Sequence, residues 1–293
     1  MTEIHNLLQT QPAALYILVG LLSLCIGSLL NVIIYRLPIM LQQQWQAECR
    51  DYLDLPEEAD QKETTSFNLF FPRSHCPHCK KIVKAWHNIP ILSYCLLRGR
   101  CAYCRQSISI RYPCIEFLTL LLSLFVVWMF GYSWQSVSAL LFSWSLLCLV
   151  MIDIDHKILP DVITLPLLWL GLLISINHVF VSSSMAIIGA IAAYAFLWLF
   201  IKLFKLLTGK EGMGHGDFKL FAVFGAWLGW QMLPLIIVFA SITGAIFGAI
   251  ILLCTRQHKS TPIPFGPYLA MSAWVMMFWG QDLMRFYLDT MGI

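Results

Sequence analysis

Residues 136–157 read SVSALLFSWSLLCLVMIDIDHK. The part of this stretch that ends at Ile152 carries no charged side chain, whereas Asp153, Asp155 and Lys157 follow at once. A membrane-spanning helix needs about 20 predominantly apolar residues. The stretch therefore predicts a membrane span whose end presents acidic side chains at the edge of the bilayer.

The composition of the whole chain also indicates a membrane protein. Of its 293 residues, 59% are hydrophobic and 12% are charged, and the mean hydropathy is +0.72. A soluble domain of ordinary composition has about 25% charged residues. The net charge of +3 gives no support to a nucleic-acid-binding protein. The first apolar run has no basic segment before it and no small-residue cleavage site after it, so we expect a retained anchor rather than a signal peptide.

The apolar runs predict an all-α polytopic membrane protein with about eight transmembrane helices. The run 218–254 would form a single helix about 55 Å long, which is too long for one span. Gln231 and Pro234 offer a break within it, so we predict two helices there. The other spans are expected near residues 13–34, 114–130, 136–152, 162–180, 185–206 and 265–286.

Basic residues predict the orientation of the chain, because Lys and Arg favour the cytoplasmic side of a membrane. With eight spans, all of the 19 basic residues except Arg285 fall on one face. We therefore expect the long polar segment in the cytoplasm and both termini outside. The predicted organisation is a first transmembrane helix (1–36), a cytoplasmic loop (37–113) with an exposed charged segment at 48–63, and a transmembrane core (114–293).

Four of the ten cysteines form two Cys-x-x-Cys pairs in the polar loop, and we expect the other six to be core or incidental thiols. Two such knuckles can bring four thiolates into a tetrahedron around Zn²⁺. The cytoplasm is reducing, which makes disulfides unfavourable there. A closed four-thiolate site has no open coordination position, so the predicted zinc is structural. The predicted ligands are Cys76, Cys79, Cys101 and Cys104.

Two acid clusters at the same membrane face predict a catalytic pair formed by Asp153 and Asp217. Acids this close to hydrocarbon are costly and suggest function. Asp217 follows three glycines at 212, 214 and 216, which permit positive φ angles and close approach to another chain segment. Two neighbouring carboxylates share one proton, so one takes a proton from water while the other donates to the scissile carbonyl oxygen.

Asp155 and Asp161 compete with Asp153 for this role. Asp155 points roughly 200° away from Asp153 if the helix continues. Asp161 follows Pro160, where an N-cap role is natural. Both are expected to be supporting groups, and the residue pattern favours Asp153 only modestly.

Two other classes of function remain open at this point. The same acid pair would suit the proton relay of a proton-coupled transporter, although transporter sites lie near the bilayer midplane and these acids lie at its edge. A zinc-scaffolded assembly factor without catalysis is the second alternative.

Taken in order, the motifs resemble the type IV prepilin peptidases, the bifunctional leader peptidases and N-methyltransferases of bacterial pilus and type II secretion systems. Gly-x-Gly-Asp is also a signature of presenilin-like intramembrane aspartyl proteases. The segments that carry the resemblance are GSLLNVIIYRLP (27–38), PRSHCPHC (72–79), WHNIP (86–90), LRGRC (97–101), ISIRYPCIE (108–116), DIDHKILPD (153–161), TLPLLW (164–169), GHGD (214–217) and PIPFGP (262–267).

The resemblance implies more than the residues alone. It assigns the paired aspartates to Asp153 and Asp217, with Gly214 and Gly216 in the motif of the second. It implies cleavage of type IV prepilins or pseudopilins after a glycine that ends a short basic leader, followed by methylation of the new amino terminus from S-adenosylmethionine. The expected location is the bacterial inner membrane, with the active site facing the cytoplasm. Glu116 is a weak candidate for the methyl-donor site, and Arg111 or Asn31 are alternative partners for its carboxylate.

Overall fold

The structure is a computed structural model that describes residues 9–54, 67–209, 213–255 and 264–291. Across these ranges the regular secondary structure is helical, apart from two isolated antiparallel β-bridges, His75–Ile82 and Arg100–Ser107. The chain divides into two compact units, Met1–Tyr132 and Ser133–Ile293. The prediction of an all-helical protein is confirmed for the described part of the chain.

The first unit contains two long helices and a small cysteine-bearing segment between them. Its helices are α1 (Pro12–Tyr52), the short α2 (Leu92–Leu96) and α3 (Arg111–Phe130), with a 3-10 turn at Ala85–Asn88. The second unit is a bundle of six helices within the described residues. They are α4 (Trp134–His156), α5 (Asp161–Ser175), α6 (Ser183–Thr208), α7 (His215–Leu228), α8 (Leu233–Thr255) and α9 (Gly266–Met291), with a 3-10 turn at Trp230–Met232.

Five helical segments are long and apolar enough to cross a membrane: Pro12–Tyr52, Arg111–Phe130, Trp134–His156, Ser183–Thr208 and Trp230–Ile250. The protein is therefore a candidate integral membrane protein, and these five segments are its candidate spans. Helices α5 and α7 have 15 and 14 residues, so each is only about 21–23 Å long against a hydrocarbon core of about 30 Å. Helix α9 has 26 residues but carries Asp282, Arg285 and Asp289 near its end.

The boundaries of the predicted spans differ from the structure at α1 and α4. Helix α1 continues well past the expected end at residue 36 and contains Pro38, so the start of the expected loop is helical. Of the charged segment 48–63, residues up to Tyr52 belong to α1, and residues 55–63 lie outside the described residues. Helix α4 extends through His156, so Asp153 and Asp155 lie within its last turn rather than beyond it.

Helix α3 belongs to the amino-terminal unit, whereas the sequence-based division placed it in a core of 114–293. The physical reason is its packing along α1. A β-carbon on Gly27 of α1 would lie 2.8 Å from Glu116 Cα and 3.2 Å from Thr119 Oγ1 of α3. Only a glycine therefore permits this approach between the two helices.

Helix α7 is the buried centre of the second unit. Its residues from Asp217 to Leu228 are almost all buried, because α5 and α6 pack on either side of it. Gly171 of α5 receives the ring of Trp227, whose Nε1 donates a 2.9 Å hydrogen bond to the Leu167 carbonyl. Gly189 of α6 lies directly against the backbone of Gly225. These contacts fix α7, and hence Asp217 in its first turn, relative to its neighbours.

The expected break in the run 218–254 is present. Helix α7 ends at Leu228, Gly229 has φ +80°, and the 3-10 turn at Trp230–Met232 leads into α8. The positive φ is a conformation that glycine adopts without strain. The break thus falls at the glycine, just before Gln231.

Candidate active site and metal centre

Asp153 lies in the last turn of α4 and is only 5% exposed. The helix ends at Lys157, which adopts a left-handed conformation (φ +56°) and donates its N–H to the Asp153 carbonyl over 2.9 Å. This ending closes the helix one turn beyond Asp153. The carboxylate is therefore held on a helical backbone rather than on a loop.

Asp217 lies in the first turn of α7 and is 9% exposed. Its N–H contacts the Gly214 carbonyl at 3.3 Å, and Gly214 precedes the helix with φ −74°. The expectation that these glycines supply positive φ angles is wrong for Gly214 and also for Gly216, which is already helical. Gly212 lies outside the described residues. What Gly216 provides is space.

The side chain of Leu159 packs against Gly216, which precedes Asp217, and against Gly266, which lies beside Asp153. A β-carbon on Gly216 would lie 2.9 Å from Leu159 Cβ, and one on Gly266 would lie 3.4 Å from Leu159 Cδ1. The same added carbon on Gly266 would overlap with Asp153 Oδ2. Asp217 is the residue after Gly216, so Leu159 and the two glycines bring both carboxylates into one small region.

Both carboxylates have a buried oxygen without a hydrogen-bond partner. In the described part of the chain, the buried side-chain oxygens without a partner are Asp153 Oδ2, Asp217 Oδ1 and Ser272 Oγ. The two carboxylates are also close enough for their charges to interact. Buried polar atoms in native proteins nearly always have partners, so each exception requires an explanation such as a catalytic role.

The competing acids are placed differently. Asp155 and Asp161 are both exposed, as expected for Asp155 from its rotation on a continued helix. Asp161 forms an ion pair with Lys219 at 2.7 Å. Its expected N-cap role is wrong, because Pro160 is the residue at the N-cap and Asp161 lies in the first turn of α5. Burial thus separates Asp153 from both competitors.

The four knuckle cysteines form a cluster that could hold a metal ion. The Sγ atoms of Cys76, Cys79, Cys101 and Cys104 all lie within 4.8 Å of one another, and those of Cys76 and Cys104 are 3.8 Å apart. Four sulfurs at about 2.3 Å from a central zinc ion would be about 3.8 Å from each other in a tetrahedron. The donor set and its spacing therefore fit zinc.

The two knuckles have the same backbone geometry. Lys80 N–H donates to the Cys76 carbonyl at 2.9 Å, and Arg105 N–H donates to the Cys101 carbonyl at 3.0 Å. Lys80 and Arg105 follow the second cysteine of each pair and have φ angles of +56° and +57°. Each knuckle is therefore a tight turn that directs its two thiols to the same side.

The backbone of the knuckles also stabilises thiolates. Hydrogen bonds from the backbone of Cys104 and Tyr103 lower the pKa of the Cys101 thiol to about 6, and the pKa of Cys76 is lowered by the equivalent bonds. The pKa of Cys104 is raised to about 11, because its backbone bond with Gln106 is outweighed by desolvation and by the neighbouring thiols. Metal ligation requires thiolates, so the lowered pKa of the first cysteine in each pair favours binding of a metal ion.

Arg36 fixes the loop that leads to the first knuckle. Its buried guanidinium on α1 donates to the carbonyl oxygens of Asn68 at 2.8 Å and Pro72 at 2.6 Å. The residue pattern identified Arg36 only as a basic group after a span. Its position directly after an apolar run was a signal for this role, because a charge buried there needs partners.

Glu116 on α3 is nearly buried, and its Oε2 accepts a 2.8 Å hydrogen bond from the Ile91 N–H. Ile91 has φ +59°, and Leu92 N–H contacts the Pro90 carbonyl across it at 2.5 Å, which is a γ-turn. Of the two partners left open for Glu116, Asn31 instead donates to the Tyr112 carbonyl at 3.1 Å. The carboxylate therefore holds a strained turn of the cysteine-bearing segment.

Comparisons with known proteins match two family models to successive parts of the chain. The Bacterial Peptidase A24 N-terminal domain matches residues 21–130, and the Type IV leader peptidase family matches residues 140–249. No solved structure matches the chain.

Curated relatives cover nearly the whole chain. A prepilin leader peptidase/N-methyltransferase from Legionella pneumophila is 52% identical, over 97% of this chain and 98% of the relative. A protein of the same description from Stutzerimonas stutzeri is 50% identical, over 96% of this chain and 96% of the relative. One from Pseudomonas aeruginosa is 47% identical, over 97% of this chain and 97% of the relative. At this identity and coverage, the chain belongs to the type IV leader peptidase family.

Proposed function

We propose that this protein removes the leader peptide of type IV prepilins or pseudopilins and then methylates the new amino terminus. The names of the relatives, at about half identity and over nearly the full chain, support both activities. The single observation that carries the peptidase assignment is the pair of buried carboxylates, Asp153 and Asp217, each with an oxygen that has no partner.

In the proposed peptidase reaction, the two carboxylates share one proton, because like charges at close range do not both ionise easily. The ionised carboxylate takes a proton from water, and the water oxygen bonds to the scissile carbonyl carbon. The protonated carboxylate donates its proton to the carbonyl oxygen. The C–N bond then breaks as the nitrogen takes up a proton, which leaves a free carboxyl on the leader and a free amine on the pilin.

We assign no fixed acid and base roles to the two groups. Their supporting residues have distinct parts in the proposal. Gly216 lets α7 begin beside Leu159, and the carbonyl of Gly214 accepts from the Asp217 N–H at the start of that helix. Asp161 anchors the start of α5 to α7 through Lys219. Asp155 is exposed on the outer side of the same helical turn. It is proposed as a peripheral acid rather than a member of the pair.

We further propose eight spans, with both acids and the basic loop on the cytoplasmic side. Together with α5, α7 and α9, the five helical segments of membrane-spanning length make eight, and the one-sided placement of the Lys and Arg residues supports the same count. A prepilin inserted as a helix keeps its basic leader in the cytoplasm, where the scissile bond would meet the two carboxylates. The location would be the bacterial inner membrane.

Zinc is proposed as a structural ion held by the four knuckle cysteines. Its role would be to close the segment between α1 and α3, which is too small to bury a core of its own. The four-thiolate donor set leaves no position for a substrate, so no step of the peptidase reaction involves the metal.

The methyl donor is proposed to be S-adenosylmethionine, which would supply an electrophilic methyl group to the new amine as that amine loses a proton. The described residues contain no Gly-rich turn between a strand and a helix that would bind such a cofactor. Glu116, the weak candidate, already uses Oε2 for Ile91. Its proposed role is therefore to hold that turn.

The peptidase assignment is tested with purified protein in detergent and a prepilin whose leader removal is followed by mass. We expect Asp153→Asn and Asp217→Asn each to lower the rate at least 100-fold, since general acid–base groups contribute about 10²–10⁴-fold. Asp51→Asn, an exposed acid on α1, is the matched control and should cleave as the wild type does. Wild-type rates for both active-site variants would reject the pair.

A further inference from the structure

The short helix α2 is held beside the first turns of α3. The Ile91 N–H, directly before α2, donates to Glu116 Oε2 over 2.8 Å. Glu116 lies in the second turn of α3, about 7.5 Å along the axis from the start of that helix at Arg111. Because α3 is a candidate span whose 20 residues just match a hydrocarbon core about 30 Å thick, its first turns lie at the edge of that core. Helix α2 therefore lies at the level of the lipid headgroups.

The 3-10 turn at Ala85–Asn88 packs against α2. Ser93 Oγ of α2 donates to the His87 carbonyl of the turn over 2.9 Å, and the Ser93 N–H donates to the Ile89 carbonyl over 3.1 Å. The turn and the helix thus form one small structural element, the 85–96 segment. What holds α2 near the membrane edge also holds the turn there.

Large apolar side chains of the 85–96 segment are exposed. Leu92 and Leu96 are four residues apart on α2, so they share one face of the helix, and they are 60% and 80% exposed. Trp86 in the turn is 71% exposed. Trp and Leu side chains of interfacial segments bury their apolar area at the boundary of headgroups and acyl chains. At the level of the headgroups, this apolar surface is suited to contact with lipid.

The surrounding chain carries basic charge without acidic charge. Residues 67–110 contain no Asp or Glu and seven Lys and Arg residues, all of them exposed: Arg73, Lys80, Lys81, Lys84, Arg98, Arg100 and Arg105. Four thiolates around one Zn²⁺ have a net negative charge smaller than the positive charge of these residues, so the segment stays positive with the metal bound. Lys and Arg residues next to a membrane are attracted by anionic lipids.

We propose that the 85–96 segment, with Arg98 and Arg100 directly after it, docks on anionic phospholipids at the membrane surface. Its apolar face lies among the headgroups, and the two arginines pair with lipid phosphates. A basic leader peptide is repelled by the same charges, so this surface complements lipid rather than the proposed substrate. The inference goes beyond the proposed function and depends on α3 as a span, not on the aspartate pair.

The experiment measures the exposure of the leucine face in two lipids. The full chain is reconstituted in nanodiscs of phosphatidylcholine alone or of an equal mixture of phosphatidylcholine and phosphatidylglycerol. Hydroxyl-radical oxidation of Leu92 and Leu96 is then quantified by mass spectrometry. Leu53, an exposed leucine after α1, is the internal control. We expect oxidation of Leu92 and Leu96, relative to Leu53, to be about threefold or more lower in the anionic nanodiscs.

The role of the arginines is tested with a double variant, Arg98→Gln with Arg100→Gln. Each basic residue near an anionic surface strengthens binding by about fivefold, so the loss of two should weaken docking by about 25-fold and abolish the difference between the lipids. Lys202→Gln with Arg285→Gln removes the same charge from exposed positions of α6 and α9 and should leave the difference intact.

Two results would overturn the inference. One is equal oxidation of Leu92 and Leu96 in both lipids, whether high, as for a face left in water, or low, as for a face covered by protein. The other is a difference between the lipids that persists in the arginine variant. If that variant loses its helical circular dichroism, Lys81→Gln with Lys84→Gln decides in the same way. Leader cleavage is not the readout, so either result leaves the peptidase assignment standing.

Discussion

The backbone of Gly266 lies directly against the carboxylate of Asp153. A β-carbon at position 266 would overlap with Asp153 Oδ2 and lie 3.3 Å from Asp153 Cγ. Helix α9 thus begins at the buried acid of α4, although more than a hundred residues separate them in the sequence. A residue with any side chain at 266 would have to displace the carboxylate or the helix start.

The first prediction concerns this contact. We expect Gly266→Ala to lower the rate of leader cleavage at least tenfold, because insertion of a carbon into a packed site costs about 1–3 kcal/mol and here displaces Asp153. The measurement is kcat/KM on a prepilin. The control is Gly20→Ala on α1, whose added carbon would make only ordinary contacts at 3.6 Å and 4.0 Å. Full activity of Gly266→Ala would contradict the contact.

The second prediction concerns the ion pair of Lys219 and Asp161, which joins the starts of α7 and α5. If the two side chains act only through each other, Lys219→Ala and Asp161→Asn should lower leader cleavage by similar factors. The double variant should then be no worse than either single variant. Both side chains are partly exposed, so we expect a coupling free energy between Lys219 and Asp161 of about 0.2–1 kcal/mol, and this coupling should weaken in high salt. Additive losses in the double-mutant cycle would show that the residues act separately.

The third prediction concerns the metal centre. Purified protein should contain one zinc ion per chain, and Cys76→Ser should lose it, because a closed four-thiolate site requires every ligand. Elemental analysis measures the metal, and limited proteolysis within 67–110 measures the loosening of the segment when zinc is removed by a chelator. Cys49→Ser, an exposed thiol on α1, is the control and should keep its zinc. Metal retained by Cys76→Ser would contradict the assignment.

The fourth prediction concerns Glu116 and the turn at Ile91. Glu116→Leu leaves the Ile91 N–H without its 2.8 Å partner, at an expected cost of about 1–3 kcal/mol, whereas Glu116→Gln keeps an acceptor oxygen. Hydrogen exchange at the Ile91 amide should therefore be much faster in the leucine variant and close to wild type in the glutamine variant. Glu48→Leu removes an exposed carboxylate of α1 and serves as the control. Equal exchange in Glu116→Leu and wild type would rule out this support.

Part of the site could be identified from sequence because its signals are local. The Cys-x-x-Cys spacing identifies a four-thiolate cluster, since two residues between cysteines suffice for a tight turn. Asp153 and Asp217 could be identified because each lies at the end of an apolar run, where a charged side chain is energetically costly. Leu159 and Gly266 had no such signal of their own, and each stood out only as part of a longer motif.

Sequence alone determined the class of the protein. The features that did so are apolar runs of membrane-spanning length, the division of the longest run near Gln231 and Pro234, the one-sided placement of basic residues and the two acid clusters. These properties depend on composition and spacing along the chain, which folding does not alter. Tertiary structure decided which acids are buried, since Asp153, Asp155 and Asp161 differ little in local sequence. Asp153 is buried where the start of α9 lies against its carboxylate at Gly266, with Leu159 packed against Gly216 and Gly266. Such long-range contacts depend on how helices distant in sequence fit together, and no local pattern encodes them.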